Sequence, residues 1–166
     1  MRQFGITLLK LCLLRSGPQD IPYSTGLLVT LATILVIFIS RIMSVAFNLE
    51  TAIALAVVSL LLTWIFVYAM VTYLRLRSRL VQIMITMLGV DLLALCSVGI
   101  LKLAVFFPSE IFVITLLAFL SIWKLTVYAH IFEQGFRMQR LYSIILAITY
   151  SVVHGIGAHS LTKLIT

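Results

Sequence analysis

Two ionisable residues, Asp91 and Lys124, lie in the middle of long apolar stretches of the chain. A carboxylate or an ammonium group in mid-membrane costs roughly 2.5–3.5 kcal/mol on insertion scales, so such residues usually have a partner and often a function. In a helical hairpin, residues equidistant from the turn lie at the same depth, because each residue rises by about 1.5 Å. The numbers 91 and 124 sum to 215, as do those of Phe107 and Pro108 at the expected turn. The spacing predicts an Asp91–Lys124 ion pair inside the membrane.

This ion pair has two interpretations, which the sequence leaves open. In the structural one, the pair holds the two helices of the hairpin in register. In the functional one, it is a polar site for a proton or ion step, or a contact to another subunit. Removing one partner of a buried pair is costly, whereas removing both is often neutral.

The other candidates for chemistry are weaker. His154 and His159 are five residues apart and do not share a helix face, whereas His130 and Glu133 do. Two possible ligands without a second matching set do not make a di-metal site. The chain has no Gly-x-Ser-x-Gly nucleophile turn and no phosphate-binding Gly-x-x-x-x-Gly-Lys loop. We therefore expect a protein that is not an enzyme and that has no metal and no cofactor.

The composition indicates a membrane protein. Hydrophobic residues make up 63% of the 166 residues and charged residues 10%, against roughly 45–50% and 25% in soluble domains. A span needs about 20 apolar residues, and five blocks qualify: 26–45, 52–73, 81–106, 110–131 and 141–158. We predict an all-α polytopic bundle with five transmembrane helices. The fifth block is the least apolar, and a re-entrant fifth segment, leaving four spans, is the alternative.

Arginine occurs in every other link between these blocks, and this alternation predicts the orientation. Lys and Arg near span ends are retained on the cytoplasmic side. With the N-terminus inside, eight of the twelve basic residues are cytoplasmic, three lie toward the outside and one is within a span. The C-terminus is then outside, and the short links favour a bacterial inner membrane. The net charge of +7 indicates contact with anionic lipid headgroups and not with nucleic acid. The predicted headgroup contacts are Lys10, Arg15, Arg75, Arg77, Arg79, Arg137 and Arg140.

The N-terminal segment, residues 1–23, is distinct from the bundle of residues 24–166. Its apolar run is too short to span a membrane, and Gln3, Thr7 and Lys10 form a narrow polar stripe if it is helical. We predict an amphipathic helix that lies in the interface; packing against the bundle is the alternative. Prolines then break the helix, and Ser24 or the next residue can cap the first span.

Two further patterns concern packing. Ala147, Ser151 and Gly155 follow at intervals of four in the fifth block, and such a stripe of small residues lets another helix approach closely. That helix could belong to this chain or to another subunit. Tyrosines are also found toward the predicted cytoplasmic span ends, where an aromatic belt is expected: Tyr68, Tyr73, Tyr128 and Tyr142.

The layout and two local stretches carry a family resemblance. The approach to the first span reads Leu-Leu-Arg-Ser-Gly-Pro at residues 13–18, and the third block runs from Val81 and Gln82 to Leu88 and Gly89. In this order the chain resembles the Yip family of small five-span membrane proteins, which includes Rab-interacting proteins of the eukaryotic secretory pathway and bacterial relatives. The chain lacks the family's long cytosolic N-terminal region and the tyrosine and proline that tend to follow such a glycine. The resemblance implies a five-span fold, and it implies neither Rab binding nor a role for any residue.

Two functional hypotheses follow. The first is a non-enzymatic scaffold, assembly factor or small subunit of a larger membrane complex, whose partners are lipids and other membrane-protein subunits. The second is a small transporter or channel component that uses the Asp91–Lys124 site. The second requires a water-accessible cavity that reaches Asp91.

Overall fold

The computed structural model describes residues 2–45, 47–103 and 110–165, apart from the side chains of residues 2–3, 100–103, 110, 158–159 and 161–165. The described part is all-helical, with no strand. Its helices are α1 Arg2–Cys12, α2 Thr25–Met43, α3 Leu49–Tyr73, α4 Leu80–Leu103, α5 Glu110–Phe136 and α6 Arg140–Ile165. Two short 3-10 turns, Pro18–Asp20 and Arg77–Arg79, precede α2 and α4.

Five of these helices, α2 to α6, are long and apolar enough to cross a membrane. The predicted blocks are thus confirmed as helices over the described residues, with shifted ends: α2 ends at Met43, and α5 and α6 continue to Phe136 and Ile165. Residues 104–106 of the third block lie outside the described residues. Helix α6 has the lowest mean hydropathy of the five, yet it is continuous over 26 residues, which disfavours the re-entrant alternative. The predicted turn at Phe107 and Pro108 lies outside the described residues.

The five long helices form a closed ring. Around it, α2 packs against α3, α3 against α6, α6 against α5, α5 against α4, and α4 against α2, while α3 also touches α4 across the ring. The α3–α4 and α5–α6 links lie at one end of the bundle because the connected helices run antiparallel. We call this the arginine end, since these links contain Arg75, Arg77, Arg79, Arg137 and Arg140.

Local hydrogen bonds define where the helices begin and end. Ser24 and Asn48 accept hydrogen bonds from the backbone three residues on, at 3.2 and 2.8 Å, and so cap α2 and α3. Leu14, Arg75 and Arg137 have φ values of 59°, 56° and 54°. A left-handed residue just after a helix redirects the chain, at a cost of roughly 1–2 kcal/mol for a side chain other than glycine.

Helix α1 packs against the bundle, as in the alternative for the N-terminal segment. Leu8, Leu11 and Cys12 are buried, while Lys10 is exposed. A Cβ atom at Gly89 of α4 would lie 2.9 Å from a methyl group of Leu8, so a larger residue there would have to displace the Leu8 side chain. The apolar face of the predicted amphipathic helix therefore meets protein.

The chain between α1 and α2 is also bound to the bundle. The side chain of Gln82 donates to the carbonyl of Ile21 at 2.8 Å, and Nε2 of His130 lies 3.0 Å from the carbonyl oxygen of Ser16. The short turn that begins at Pro18 contacts both α4 and α5. The described part of the N-terminal segment thus contacts α4 and α5 in the half of the bundle nearer the arginine end.

Candidate functional site

The ion pair predicted from the sequence is present in the structure. Nζ of Lys124 on α5 lies 2.7 Å from Oδ1 of Asp91 on α4. The two helices are neighbours in the ring. Asp91 and Lys124 can therefore meet, because they are equally far from the expected turn and so lie at the same depth in the bundle. The side chain of Asp91 is 17% exposed and that of Lys124 is 37% exposed, so the carboxylate is the more enclosed of the two.

Tyr128 is a second partner of the carboxylate that the sequence argument missed. Its hydroxyl donates to the same oxygen of Asp91, and Nζ of Lys124 lies 5.2 Å from the centre of its ring, within cation–π range. Tyr128 was expected in an aromatic belt, and this is wrong, because the residue is only 1% exposed. Its position one helical turn from Lys124 was the available signal.

Two further hydrogen-bonded pairs join α3 to α6 near the ion pair. Oγ of Ser59 lies 2.9 Å from Nε2 of His154, and Oγ1 of Thr63 lies 2.9 Å from the hydroxyl of Tyr150. The hydroxyl of Thr63 also lies 3.1 Å from the carbonyl oxygen of Ser59, to which it can donate. Neither pair was predicted, because the hairpin argument does not relate α3 to α6.

A cavity of about 650 Å³ lies against the ion pair, and all five long helices contribute to it. This volume falls within the roughly 300–1,000 Å³ of small-molecule sites. One part of its lining is polar and is called here the polar floor: Ser59, Asp91, Lys124 and His154. The walls extend away from the arginine end and are mostly apolar: Ile39, Met43, Phe47, Leu55, Ala94, Leu95, Val98, Leu117 and Leu120, with Ser121 and Gly155.

A smaller cavity of about 440 Å³ lies between α5 and α6 and is called here the α5–α6 opening. It shares four lining residues with the main cavity: Ser121, Lys124, His154 and Gly155. No atom lies within 4 Å of the place where a Cβ of Gly155 would be. The small side chains therefore leave a gap between the two helices.

This gap limits how far the predicted packing stripe is used within the chain. Ala147 is fully buried, but Ser151 is exposed and Gly155 faces open space. Ser151 donates to the carbonyl of Ala147 in its own helix, at 2.8 Å. Close packing is therefore present only at the Ala147 end, since no neighbouring helix approaches the other two positions.

Aromatic rings fill the bundle between the polar floor and the arginine end. The ring centre of Phe66 lies 5.7 Å from that of Phe132 and 4.8 Å from that of Tyr150. Phe132 in turn stacks on Phe136, with centres 5.4 Å apart. These separations are typical of packed aromatic pairs. The bundle is therefore closely packed between the polar floor and the arginine end.

The seven basic residues predicted to contact lipid are on the N-terminal segment and at the arginine end. Six of them are exposed: Lys10, Arg15, Arg75, Arg77, Arg137 and Arg140. Arg79 is half-buried, and its guanidinium donates to the carbonyls of Gln134 and Gly135 at 3.3 and 3.4 Å. A cation at the C-terminal end of a helix stabilises its free carbonyls, so Arg79 also has a structural role.

No metal-binding cluster of three or more His, Cys, Asp or Glu side chains is found among the described residues. No protein-family model matches the chain, and no curated protein and no solved structure is significantly similar to it. The cavity and the polar floor are therefore the features of the molecule that bear on its function.

Proposed function

We propose that this protein is a five-span integral membrane protein that binds a small molecule at the polar floor, as a component of a small transporter or channel. The observation that carries this proposal is that all five long helices line one cavity whose floor contains the Asp91–Lys124 pair. A pair that only held two helices in register would need no cavity beside it. A pocket with apolar walls and a few converging polar groups is the usual form of a ligand site.

The alternation of arginines supports the orientation that goes with this function. With the arginine end in the cytoplasm, the N-terminus is cytoplasmic and the C-terminus is outside. The exposed basic residues there would meet anionic headgroups, each contributing on the order of 1 kcal/mol near the surface. The cavity then belongs to the outer half of the membrane, and a bacterial inner membrane suits the short links.

Cysteine labelling tests whether the cavity holds water. In a Cys96→Ala background, Ser121→Cys places a thiol on the cavity wall, while Phe119→Cys places one two residues away on a face that is 65% exposed and would meet lipid. A membrane-impermeant maleimide is added to intact cells. We expect Ser121→Cys to be labelled at least tenfold faster than Phe119→Cys, because a thiol in lipid does not form the reactive thiolate.

Equal and negligible labelling at the two positions would contradict the proposal. A second cavity position, Ala94→Cys on α4, distinguishes a local failure from a dry cavity.

The role of scaffold, assembly factor or small subunit is the second candidate. The observation that favours it is the exposed small-residue surface at Ser151 and Gly155, where a helix of another subunit could approach closely. Crosslinking and mass spectrometry of mild-detergent extracts test it. Under this hypothesis, Ser151→Leu abolishes a specific crosslink and leaves labelling of Ser121→Cys unchanged. A solitary species at native expression would count against it.

A further inference from the structure

The polar floor can be reached along two directions. The main cavity meets Lys124 and His154 from the half of the bundle away from the arginine end, and the α5–α6 opening meets the same two residues from the side. Exposed apolar side chains surround the opening: Ile122, Ile148 and Val152. In a membrane these side chains would contact lipid. A molecule dissolved in the lipid would therefore reach the floor without crossing water.

The charge of the floor limits which head group it can accept. Asp91 and Lys124 already neutralise each other at 2.7 Å, so a charged ligand would leave an uncompensated charge in a low-dielectric site. The remaining polar groups are the hydroxyls of Ser59 and Ser121 and the imidazole of His154. Ser59 and His154 are already bonded to each other, and Ser121 donates to the carbonyl of Leu117 at 2.8 Å, so the two serine oxygens keep lone pairs that can accept from a ligand. An uncharged head group that forms hydrogen bonds is thus the best match.

The walls favour a hydrocarbon chain. Leu117 and Leu120 of α5 face Leu95 and Val98 of α4 across the cavity, and Met43 closes the α2 side. Such a surface offers no hydrogen-bond partner to a sugar or an amino acid along its length. Methionine and leucine adapt to a flexible chain, and the combined shape of a polar floor with apolar walls matches a molecule with one polar end.

We infer that the cavity takes a single-chain amphiphile with an uncharged, hydrogen-bonding head group, such as a monoacylglycerol. The head group lies on the polar floor, the chain lies along the apolar walls, and the molecule enters sideways through the α5–α6 opening. This inference rests on the proposed function, because it names the class of ligand for the same cavity.

Photolabelling with a monoolein analogue tests the inference. The probe has a diazirine in its acyl chain, and the full-length protein is held in nanodiscs of a two-chain phosphatidylcholine. We expect saturable labelling of cavity-wall peptides from α4 and α5. Unlabelled monoolein should compete at least tenfold more effectively than oleate at pH 8, which has the same chain and a charged head group.

Matched tryptophans test the route of entry. Gly155→Trp fills the space that is open at the α5–α6 opening, whereas Ile156→Trp places the same side chain on a neighbouring outward face, where the native residue is 61% exposed. We expect Gly155→Trp to lower saturable labelling at least tenfold and Ile156→Trp to leave it unchanged. If Gly155→Trp does not fold, Ser121→Leu narrows the same opening from α5.

The outcomes separate this inference from the proposed function. Labelling spread evenly over the outward faces, or equal competition by oleate, overturns the amphiphile. If water-borne reagents still reach Ser121→Cys in that case, the cavity remains a site for a more polar molecule. If both measurements fail, the proposed function falls as well. Undiminished labelling of the folded opening variants overturns sideways entry.

Discussion

The two halves of the bundle differ although they share one face of α5. Toward the arginine end this face presents Tyr128, Phe132 and Phe136 at intervals of four residues, and their rings pack together. Toward the other end the same face presents Ser121 and Leu117, which line the cavity. The ring of helices is common to both halves. The comparison shows that the volume of the side chains on one helix face decides where the bundle is solid and where it is hollow.

The polar floor lies at the boundary between these halves, and this position explains its partners. Asp91 receives Lys124 from the hollow side and the hydroxyl of Tyr128 from the solid side. Such donors offset the cost of burying a carboxylate. The solid half therefore positions the group that the hollow half exposes to a ligand.

The largest expected effect comes from opening the solid half. Phe132→Ala removes a fully buried ring, and the resulting cavity should lower the free energy of unfolding by about 3 kcal/mol. Phe119→Ala is the matched control on α5, since this ring is 65% exposed. Thermal or chemical unfolding in mild detergent measures both. An equal loss of unfolding free energy in the two variants would mean that the buried aromatic rings do not stabilise the fold more than an exposed ring does.

Removing the ion pair tests the polar floor, which lies at the boundary between the two halves. Lys124→Leu leaves Asp91 without its cation and should cost about 3 kcal/mol of unfolding free energy, as expected for an unpaired buried charge. Asp91→Asn should cost less, because Lys124 is 37% exposed. The double variant should recover most of the loss. Independent, additive losses in this cycle would show that the two residues do not interact.

Removing single hydroxyls compares the two tyrosines beneath the floor. Tyr128→Phe removes a donor to a charged carboxylate, where a hydrogen bond contributes roughly 1.5–3 kcal/mol. Tyr150→Phe removes a hydroxyl whose partners, Thr63 and Tyr128, are uncharged, and Thr63 keeps its bond to Ser59, so about 1 kcal/mol is expected. The same unfolding assay measures both. A larger loss for Tyr150→Phe would reverse the assignment of Asp91 to Tyr128.

The smallest effect concerns the native thiol of the solid half. Burial raises the pKa of Cys12 from 9.0 to about 11, so its thiolate fraction at pH 7 to 8 should be about a hundredfold below that of a free thiol with the lower pKa. In the Cys96→Ala variant, maleimide should modify Cys12 very slowly, with the rate rising about tenfold per pH unit up to pH 10. Denatured protein is the control. Native modification as fast as in the denatured chain would mean that α1 does not stay packed.

The sequence predicted at what depth along the helices the site residues lie. It predicted less well which way each residue faces around its helix axis. The apolar blocks and the fixed rise per residue located Asp91 and Lys124 at one level. Tyr128 was misassigned because its distance from the span end suggested a belt, whereas its rotation about α5 points it at Asp91. The stripe from Ala147 to Gly155 packs within the chain only at Ala147, and its spacing did not say which positions another helix of the chain would face.

The sequence by itself determined that five helices are long and apolar enough to span a membrane, and it placed two charges at matching depth. Both results follow from apolar length and from a rise of about 1.5 Å per residue. Only the tertiary structure decided the order of the ring, the packing of α1 on Gly89, and the cavity. The long helices are apolar on most of their surface, and lipid is as apolar as a neighbouring helix. No amphipathic pattern therefore marks the inward face, which is selected by side-chain shape together with the ion pair and the hydrogen bonds between helices.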